Sequence, residues 1–215
     1  MLESVKKIMI GVVASIDVVA ASGAVVLMIR DVKKDYGTSM PRLIKRQNGA
    51  LWCGYAALEG LLNANNISVS QGGLVKQLAE ISNDFESAAI GYISDGNICD
   101  LINKNGKHSR CVITSGENFK KHFETELKIQ KLFLFTCNSS IQKGKQKDLG
   151  HWVLVQYDEN GKGVLVHDSS KISDKGGFCT PTKYSIDEFL KKYQGYQQYE
   201  MISLCDGENQ QKFYL

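Results

Sequence analysis

Residues 47–55 read Gln-Asn-Gly-Ala-Leu-Trp-Cys-Gly-Tyr, and an alanine- and leucine-rich stretch follows at once. This pattern predicts a buried helix with Cys53 at its N-terminus. There, unpaired N–H groups and the positive end of the helix dipole favour the thiolate form of a cysteine. Gln47 lies upstream at a spacing that suits a donor to an oxyanion. We therefore predict that Cys53 is a nucleophile and that Gln47 stabilises the oxyanion it generates.

The composition bounds the class of protein. The chain has 215 residues, enough for one domain with a sizeable core, or for one domain plus a short appendage. Its net charge of +3 is too small to indicate nucleic-acid binding, and its lysines are scattered. The apolar and charged fractions are those of an ordinary globular protein.

The six cysteines are widely spaced, and no pair has the short spacing typical of a zinc site. A chain of this length does not need a disulfide framework. The simplest interpretation is one functional thiol and five buried or indifferent ones. This favours a reducing compartment, such as the cytoplasmic face of a membrane.

The N-terminal region, residues 1–40, contains an apolar run of 22 residues from Ile8 to Ile29, flanked by lysines and an arginine. The run is long enough to span a bilayer, so residues 8–29 are a candidate for membrane association or a signal. Asp17 near its centre and its many β-branched residues favour instead an ordered segment packed on the domain. Both alternatives stay open. Residues 31–46 are predicted to be a linker, and residues 41–215 to contain the main domain.

Helical periodicity dominates the first half of this domain, and strand patterns dominate the second. We expect helices over about 52–62, after Ser68 or Ser70, after Ser94, over about 117–127 and over 184–193. We expect strands over 131–137, 151–157, 163–168 and 199–205. Helices followed by an antiparallel sheet constitute an α+β fold, in which the nucleophile helix packs on the sheet.

A cysteine nucleophile needs a base, and the base needs a group that orients it. Of the four histidines, His151 opens an apolar strand, and His167 lies within the next strand. Asn160-Gly161 between these strands is a strong signal for a two-residue hairpin turn. Such a turn pairs Val155 with Val166, so that His151 and Asp168 share one face as diagonal neighbours. His167 then points to the opposite face. We therefore predict Cys53, His151 and Asp168 as a triad.

The quoted residues resemble those of papain-like cysteine peptidases. Within that group, the stretch from Cys53 to Leu62, Gly91-Tyr92-Ile93-Ser94, Gly150-His151-Trp152 and His167-Asp168-Ser169-Ser170 are most similar to josephin deubiquitinases. The double-glycine leader peptidases share the order Cys, His, Asp and are the nearest alternative. The resemblance covers residues 47–205 as short motifs.

This resemblance implies a papain-like or josephin-like fold and hydrolysis of peptide or isopeptide bonds, without a metal or cofactor. The implied partner is a protein or peptide substrate, with ubiquitin or a ubiquitin-like protein as a candidate. Two other classes remain open. One is a thiol acyltransferase or deamidase, which uses the same triad, and the other is an inactive binding module on a peptidase fold.

Overall fold

The computed structural model describes residues 43–115, 118–138, 150–160, 162–171, 177–193, 199–205 and 211–214. The apolar run at 8–29 and most of its predicted linker lie outside these residues. Within the described ranges, no helix combines the length and apolar character needed to cross a membrane.

The described residues form six helices and seven strands. The helices are α1 (Cys53–Ala64), α2 (Gln71–Ser82), α3 (Phe85–Ile90), α4 (Asp95–Lys104), α5 (Phe119–Gln130) and α6 (Ile186–Lys192). The strands are β1 (His108–Thr114), β2 (Leu132–Asn138), β3 (Gly150–Asp158), β4 (Gly163–His167), β5 (Thr182–Tyr184), β6 (Tyr199–Cys205) and β7 (Gln211–Tyr214).

The strands form one sheet in the order β5-β4-β3-β2-β6-β1-β7. Every neighbouring pair is antiparallel except β1 and β7, which run parallel. The predicted mixture of helices and an antiparallel sheet is therefore confirmed, with one parallel strand pair at the edge.

Helices cover both faces of the sheet, and each face has its own apolar core. On one face, α1, α2 and α4 pack against side chains that include Leu134, Leu154 and Ile202. On the other, α5 and α6 contribute an aromatic cluster around Phe123 and Phe189. Along β2, β3 and β6, side chains alternate between these two cores, as the period of a strand requires.

Helix α1 lies very close to the sheet, and Gly54 permits this approach. A Cβ atom at Gly54 would lie 2.5 Å from Ile93 Cγ1 and 3.1 Å from Trp152 Cδ1. The residues from Gly54 to Leu62 are all buried, as their composition predicts. A side chain at Gly54 would push α1, and with it Cys53, away from β3.

The predicted helix starts are confirmed where a serine caps them. The Ser70 hydroxyl accepts a hydrogen bond from Gly73 N at the start of α2, and Ser94 forms a capping box with Asn97 at the start of α4. These caps orient the two helices that flank α1.

Residues 43–46 lie where the predicted linker (31–46) and the predicted domain (41–215) overlap. Ile44 is fully buried, and its carbonyl accepts a hydrogen bond of 2.8 Å from Cys179 N. Lys45 forms an isolated β-bridge with Phe178. Residues 43–46 therefore pack with the domain, because their backbone is hydrogen-bonded to residues 177–179, which follow β4.

Strands β1, β5 and β7 and helix α3 are absent from the sequence predictions. Strand β1 has a weak strand pattern because two of its buried residues are polar, namely Ser109 and Thr114. Strand β5 and helix α3 span three and six residues, which is too short for a periodic signal.

Candidate active site

Cys53 is the first residue of α1. No side chain caps this helix at Trp52, and its first turn contains no acidic residue. The N–H groups of a first helical turn have no partner within the helix and attract negative charge. The sulfur therefore lies where a thiolate is favoured. Its side chain is partly buried, so a substrate can still reach it.

The β3–β4 hairpin has the predicted register. Val155 pairs with Val166 and Tyr157 with Val164. As a consequence, His151 Nε2 lies 2.8 Å from Asp168 Oδ1, and both side chains are largely buried. Two residues that lie 17 positions apart in the sequence are thus hydrogen-bonded across the hairpin.

His151 also forms a hydrogen bond with the Cys53 side chain. Because Nε2 of the imidazole donates to Asp168, the bond to the sulfur uses Nδ1. The structure therefore brings the sulfur, the imidazole and the carboxylate of the predicted triad into one hydrogen-bonded chain.

The electrostatics of this hydrogen-bonded triad favour a thiolate–imidazolium pair. Burial raises the pKa of the Cys53 thiol, but the hydrogen bond and positive charge of His151 outweigh it, so that the pKa is lowered overall. The backbone amides of Trp152 and Gly54 act in the same direction. Burial lowers the pKa of His151, but its bonds to Asp168 and Cys53 raise it to about 9. Because the pKa of the thiol is lowered while that of the imidazole is raised, the ion pair is the favoured form of the two side chains.

Asp168 is held as a carboxylate. Burial raises its pKa, but His151 and Ser170 together keep the pKa of this carboxyl well below its usual range. The Ser170 N–H and hydroxyl both donate to Asp168 Oδ1, at 2.9 and 2.6 Å. The oxygen that orients His151 thus accepts three hydrogen bonds.

Gln47 lies beside this loop, but its amide is occupied. Its Nε2 donates to the carbonyls of Gly49 and Ala50 at 2.9 and 2.7 Å, and its Oε1 accepts from Ser169 Oγ at 2.9 Å. Gln47, the predicted oxyanion donor, therefore lies beside the nucleophile segment (residues 49–53), and both of its amide hydrogens are bound to carbonyls of that segment. To donate to a substrate oxygen, the Gln47 amide must first break its hydrogen bond to one of these carbonyls.

His167 is unsuited to the role of base. Its ring lies on the opposite face of the hairpin from His151, fully buried, with Nε2 3.2 Å from Gln156 Oε1. Burial lowers the pKa of His167 to about 4, so it is neutral near pH 7. This placement agrees with the alternation predicted for the hairpin.

Three polar residues near the site were not singled out from the sequence. Ser169 and Ser170 follow Asp168 and look like ordinary turn formers. Gln71 lies at the start of α2 and is almost fully buried, where its side chain contacts the backbone on both sides of Gln47. A buried glutamine has no recognisable pattern in a single sequence, so only the structure reveals it.

The solved structures similar to this chain include two peptidase domains. One is the peptidase domain of Streptococcus ComA, a bi-functional ABC transporter involved in a quorum-sensing pathway, with 17% identity and a TM-score of 0.50. The match covers 78% of this chain and 100% of that one. The other is a double-glycine-motif protease from an AMS/PCAT transporter in complex with the leader peptide, with 16% identity and a TM-score of 0.46. That match covers 75% of this chain and 89% of the other.

Comparison with curated protein sequences finds no significant match. The model of the Peptidase_C39 like family, in contrast, matches residues 41–201 of this 215-residue chain. The fold is that of a papain-like cysteine peptidase domain, as predicted from the resemblance. The chain belongs to the Peptidase_C39 like family and is a cysteine peptidase.

Proposed function

We propose that this peptidase hydrolyses its substrate by acyl transfer to Cys53. The observation that carries the proposal is the chain of hydrogen bonds from Cys53 through His151 to Asp168 at a helix N-terminus. These are the three groups that thiol catalysis needs, in contact and with pKa values that favour the ion pair.

In the first half-reaction, the Cys53 thiolate attacks the scissile carbonyl carbon and a C–S bond forms. The carbonyl oxygen becomes an oxyanion, which the Cys53 N–H and the Gln47 amide stabilise after Gln47 has released one carbonyl. The His151 imidazolium gives its proton to the leaving amine as the C–N bond breaks. In the second half-reaction, His151 takes a proton from water, the resulting hydroxide attacks the thioester, and the thiolate is released.

For the substrate, we propose a peptide with an accessible main chain, of the double-glycine leader type. Membership of the Peptidase_C39 like family supports this class. The ubiquitin hypothesis has no such support, because the matching family is not that of the josephins.

The substrate can be tested by incubating the chain with a peptide that contains a Gly-Gly pair and, in parallel, with ubiquitin chains and ubiquitin-propargylamide. We expect cleavage after the Gly-Gly pair, detected as two fragments by mass spectrometry. Reaction with the ubiquitin probe and an intact peptide would instead assign a deubiquitinase. The same spectra distinguish a peptidase from an acyltransferase, since an added amine would appear on the acyl fragment.

A second prediction concerns the reactivity of Cys53. At pH 6, an ordinary thiol with a pKa near 8.5 is only about 0.3% thiolate, whereas Cys53 has a lowered pKa. Iodoacetamide should therefore alkylate Cys53 at pH 6 well before Cys205, which is also partly exposed. Peptide mapping measures both rates.

The variant His151→Ala is the control for this labelling experiment. Without the imidazolium, the pKa of Cys53 should rise, and the alkylation of Cys53 should move to higher pH. Equal rates at Cys53 and Cys205 in the unmodified protein would argue for an inactive binding module.

A further inference from the structure

Gln47 and its neighbours are held by hydrogen bonds from two residues outside the triad, Ser169 and Gln71. Its backbone N–H donates to the carbonyl of Ser169 at 3.3 Å, and its Oε1 accepts from the Ser169 hydroxyl at 2.9 Å. Ser169 thus contacts both the main chain and the side chain of Gln47. Because Ser169 follows Asp168 directly, these contacts join the Gln47 segment to the loop that holds the triad carboxylate.

The backbone around Gln47 is fixed from the other side by Gln71. The Gln71 carboxamide donates to the carbonyl of Arg46 at 3.1 Å and accepts from the N–H of Asn48 at 2.9 Å. Its nitrogen also donates to the buried Glu59 at 3.0 Å, which determines the orientation of the amide. With both neighbours of Gln47 held by one side chain, the only freedom left to Gln47 lies in its own side-chain torsions.

The contacts of Gln47 also determine which end of its carboxamide is the nitrogen. The two carbonyls of Gly49 and Ala50 can only accept, so the side-chain atom between them must be the donor Nε2. The other end, Oε1, therefore faces Ser169, and the Ser169 hydroxyl must donate to it. Ser169 is fully buried. It is well placed to anchor the carboxamide in this position, while the two carbonyls select its orientation.

We propose that Ser169 is a positioning residue that anchors the Gln47 carboxamide beside the nucleophile segment, from where its nitrogen donates to the oxyanion once it has released one carbonyl. This inference rests on the proposed function, since it assigns Ser169 to the same acyl transfer. Ser169 does not touch the substrate or the reacting atoms. It acts through Gln47, because the carboxamide must release one carbonyl to donate to the oxyanion, and without the Ser169 hydroxyl only one hydrogen bond would then hold it in the donating position.

The test uses Ser169→Ala and separates two reactions of the same sulfur. Addition of Cys53 to a peptide aldehyde forms a C–S bond and turns the carbonyl oxygen into an alkoxide, which then takes up a proton. That reaction needs the oxyanion donors. Alkylation by iodoacetamide forms a C–S bond and expels iodide, without any oxyanion, so it depends only on the thiolate and its access.

For Ser169→Ala, we expect kcat for peptide cleavage to fall about 10- to 100-fold, with a smaller change in KM. The affinity for the peptide aldehyde should fall by a similar factor. The rate and pH profile of Cys53 alkylation should stay unchanged. Ser109→Ala is a matched control, because Ser109 is an equally buried serine on β1, and its hydroxyl makes no hydrogen bond among the described residues. It should leave all three quantities unchanged.

A double-mutant cycle completes the test. If Ser169 acts through Gln47, the loss caused by Ser169→Ala should largely disappear in a Gln47→Ala background. Additive losses, no loss in Ser169→Ala, or an equal fall in alkylation and aldehyde binding would each overturn the proposal. Acyl transfer to Cys53 would survive those results, because it is tested separately by the loss of peptide cleavage in Cys53→Ala.

Discussion

Replacing Cys53 by alanine is expected to reduce kcat for peptide hydrolysis by roughly 10⁴- to 10⁶-fold, the range found when a nucleophile is removed from a triad. The physical reason is that no other group among the described residues combines a sulfur at a helix N-terminus with a bond to His151. Alanine cannot form the acyl-enzyme, and the remaining groups can only bind and polarise the substrate. Product formation under single-turnover conditions measures this loss.

The fold should tolerate this substitution. Cys53 is only partly buried and begins the helix, whereas the residues that pack α1 against the sheet start at Gly54. We expect the melting temperature to change by no more than about 4 °C. Cys205→Ala is the matched control, a second partly exposed cysteine at the end of β6, and it should keep full activity. Activity of Cys53→Ala above the uncatalysed background would remove Cys53 from the mechanism.

The triad could be predicted from sequence because each member lies in a segment with a recognisable local pattern. The regular geometry of a β-hairpin then relates His151 to Asp168. A turn at Asn160 fixes the register of β3 and β4, and the two-residue period of a strand then decides which side chains share a face. The two-residue period separates His151 from His167, and the observed pairing of Val155 with Val166 agrees with this prediction. The link from this hairpin to Cys53, in contrast, came from the base and orienting group that a thiol nucleophile requires and not from geometry.

The hydrogen bonds that hold Gln47 and its neighbours could not be predicted in the same way. Ser169 and Gln71 contact Gln47 and its neighbours only because a loop after β4 and the start of α2 meet at that point. Such contacts depend on tertiary structure and leave no periodic pattern in the sequence. The strands that the sequence did not predict were overlooked for a related reason. In β1, the buried polar residue Ser109 interrupts the apolar pattern by which strands are recognised.

The second large effect is expected for His151→Ala, which removes both the proton donor and the imidazolium that stabilises the thiolate. We expect a loss in kcat of roughly 10⁴-fold or more. The pH dependence should change as well. In the unmodified protein, activity should rise as Cys53 ionises at its lowered pKa and fall as His151 loses its proton near pH 9. In His151→Ala, the fall at high pH should be absent from the residual activity.

Asp168→Asn should be much milder than His151→Ala, with a loss of about 100-fold or less. An asparagine preserves an acceptor for His151 only if its oxygen, and not its nitrogen, occupies the position of Oδ1. The structure favours this orientation, because the backbone N–H of Ser170, which can only donate, points at that position. An NH₂ group there would face a donor N–H and the donor N–H of His151, at a cost that selects the other orientation.

The double variant Asp168→Asn/Ser170→Ala tests whether the backbone N–H of residue 170 alone selects this orientation. The Ser170 hydroxyl can accept as well as donate, so its removal leaves the selecting N–H in place. A reversed amide would present NH₂ to His151 and impose the wrong imidazole tautomer, an error that costs a Ser-His-Asp enzyme about 10⁴-fold. We therefore expect the double variant to lose no more activity than the product of the two single losses, measured as kcat near neutral pH, and a much larger loss would contradict this assignment. Losses for Asp168→Asn that equal or exceed those of His151→Ala would contradict the orienting role of Asp168, since an oriented acceptor is all that the asparagine retains.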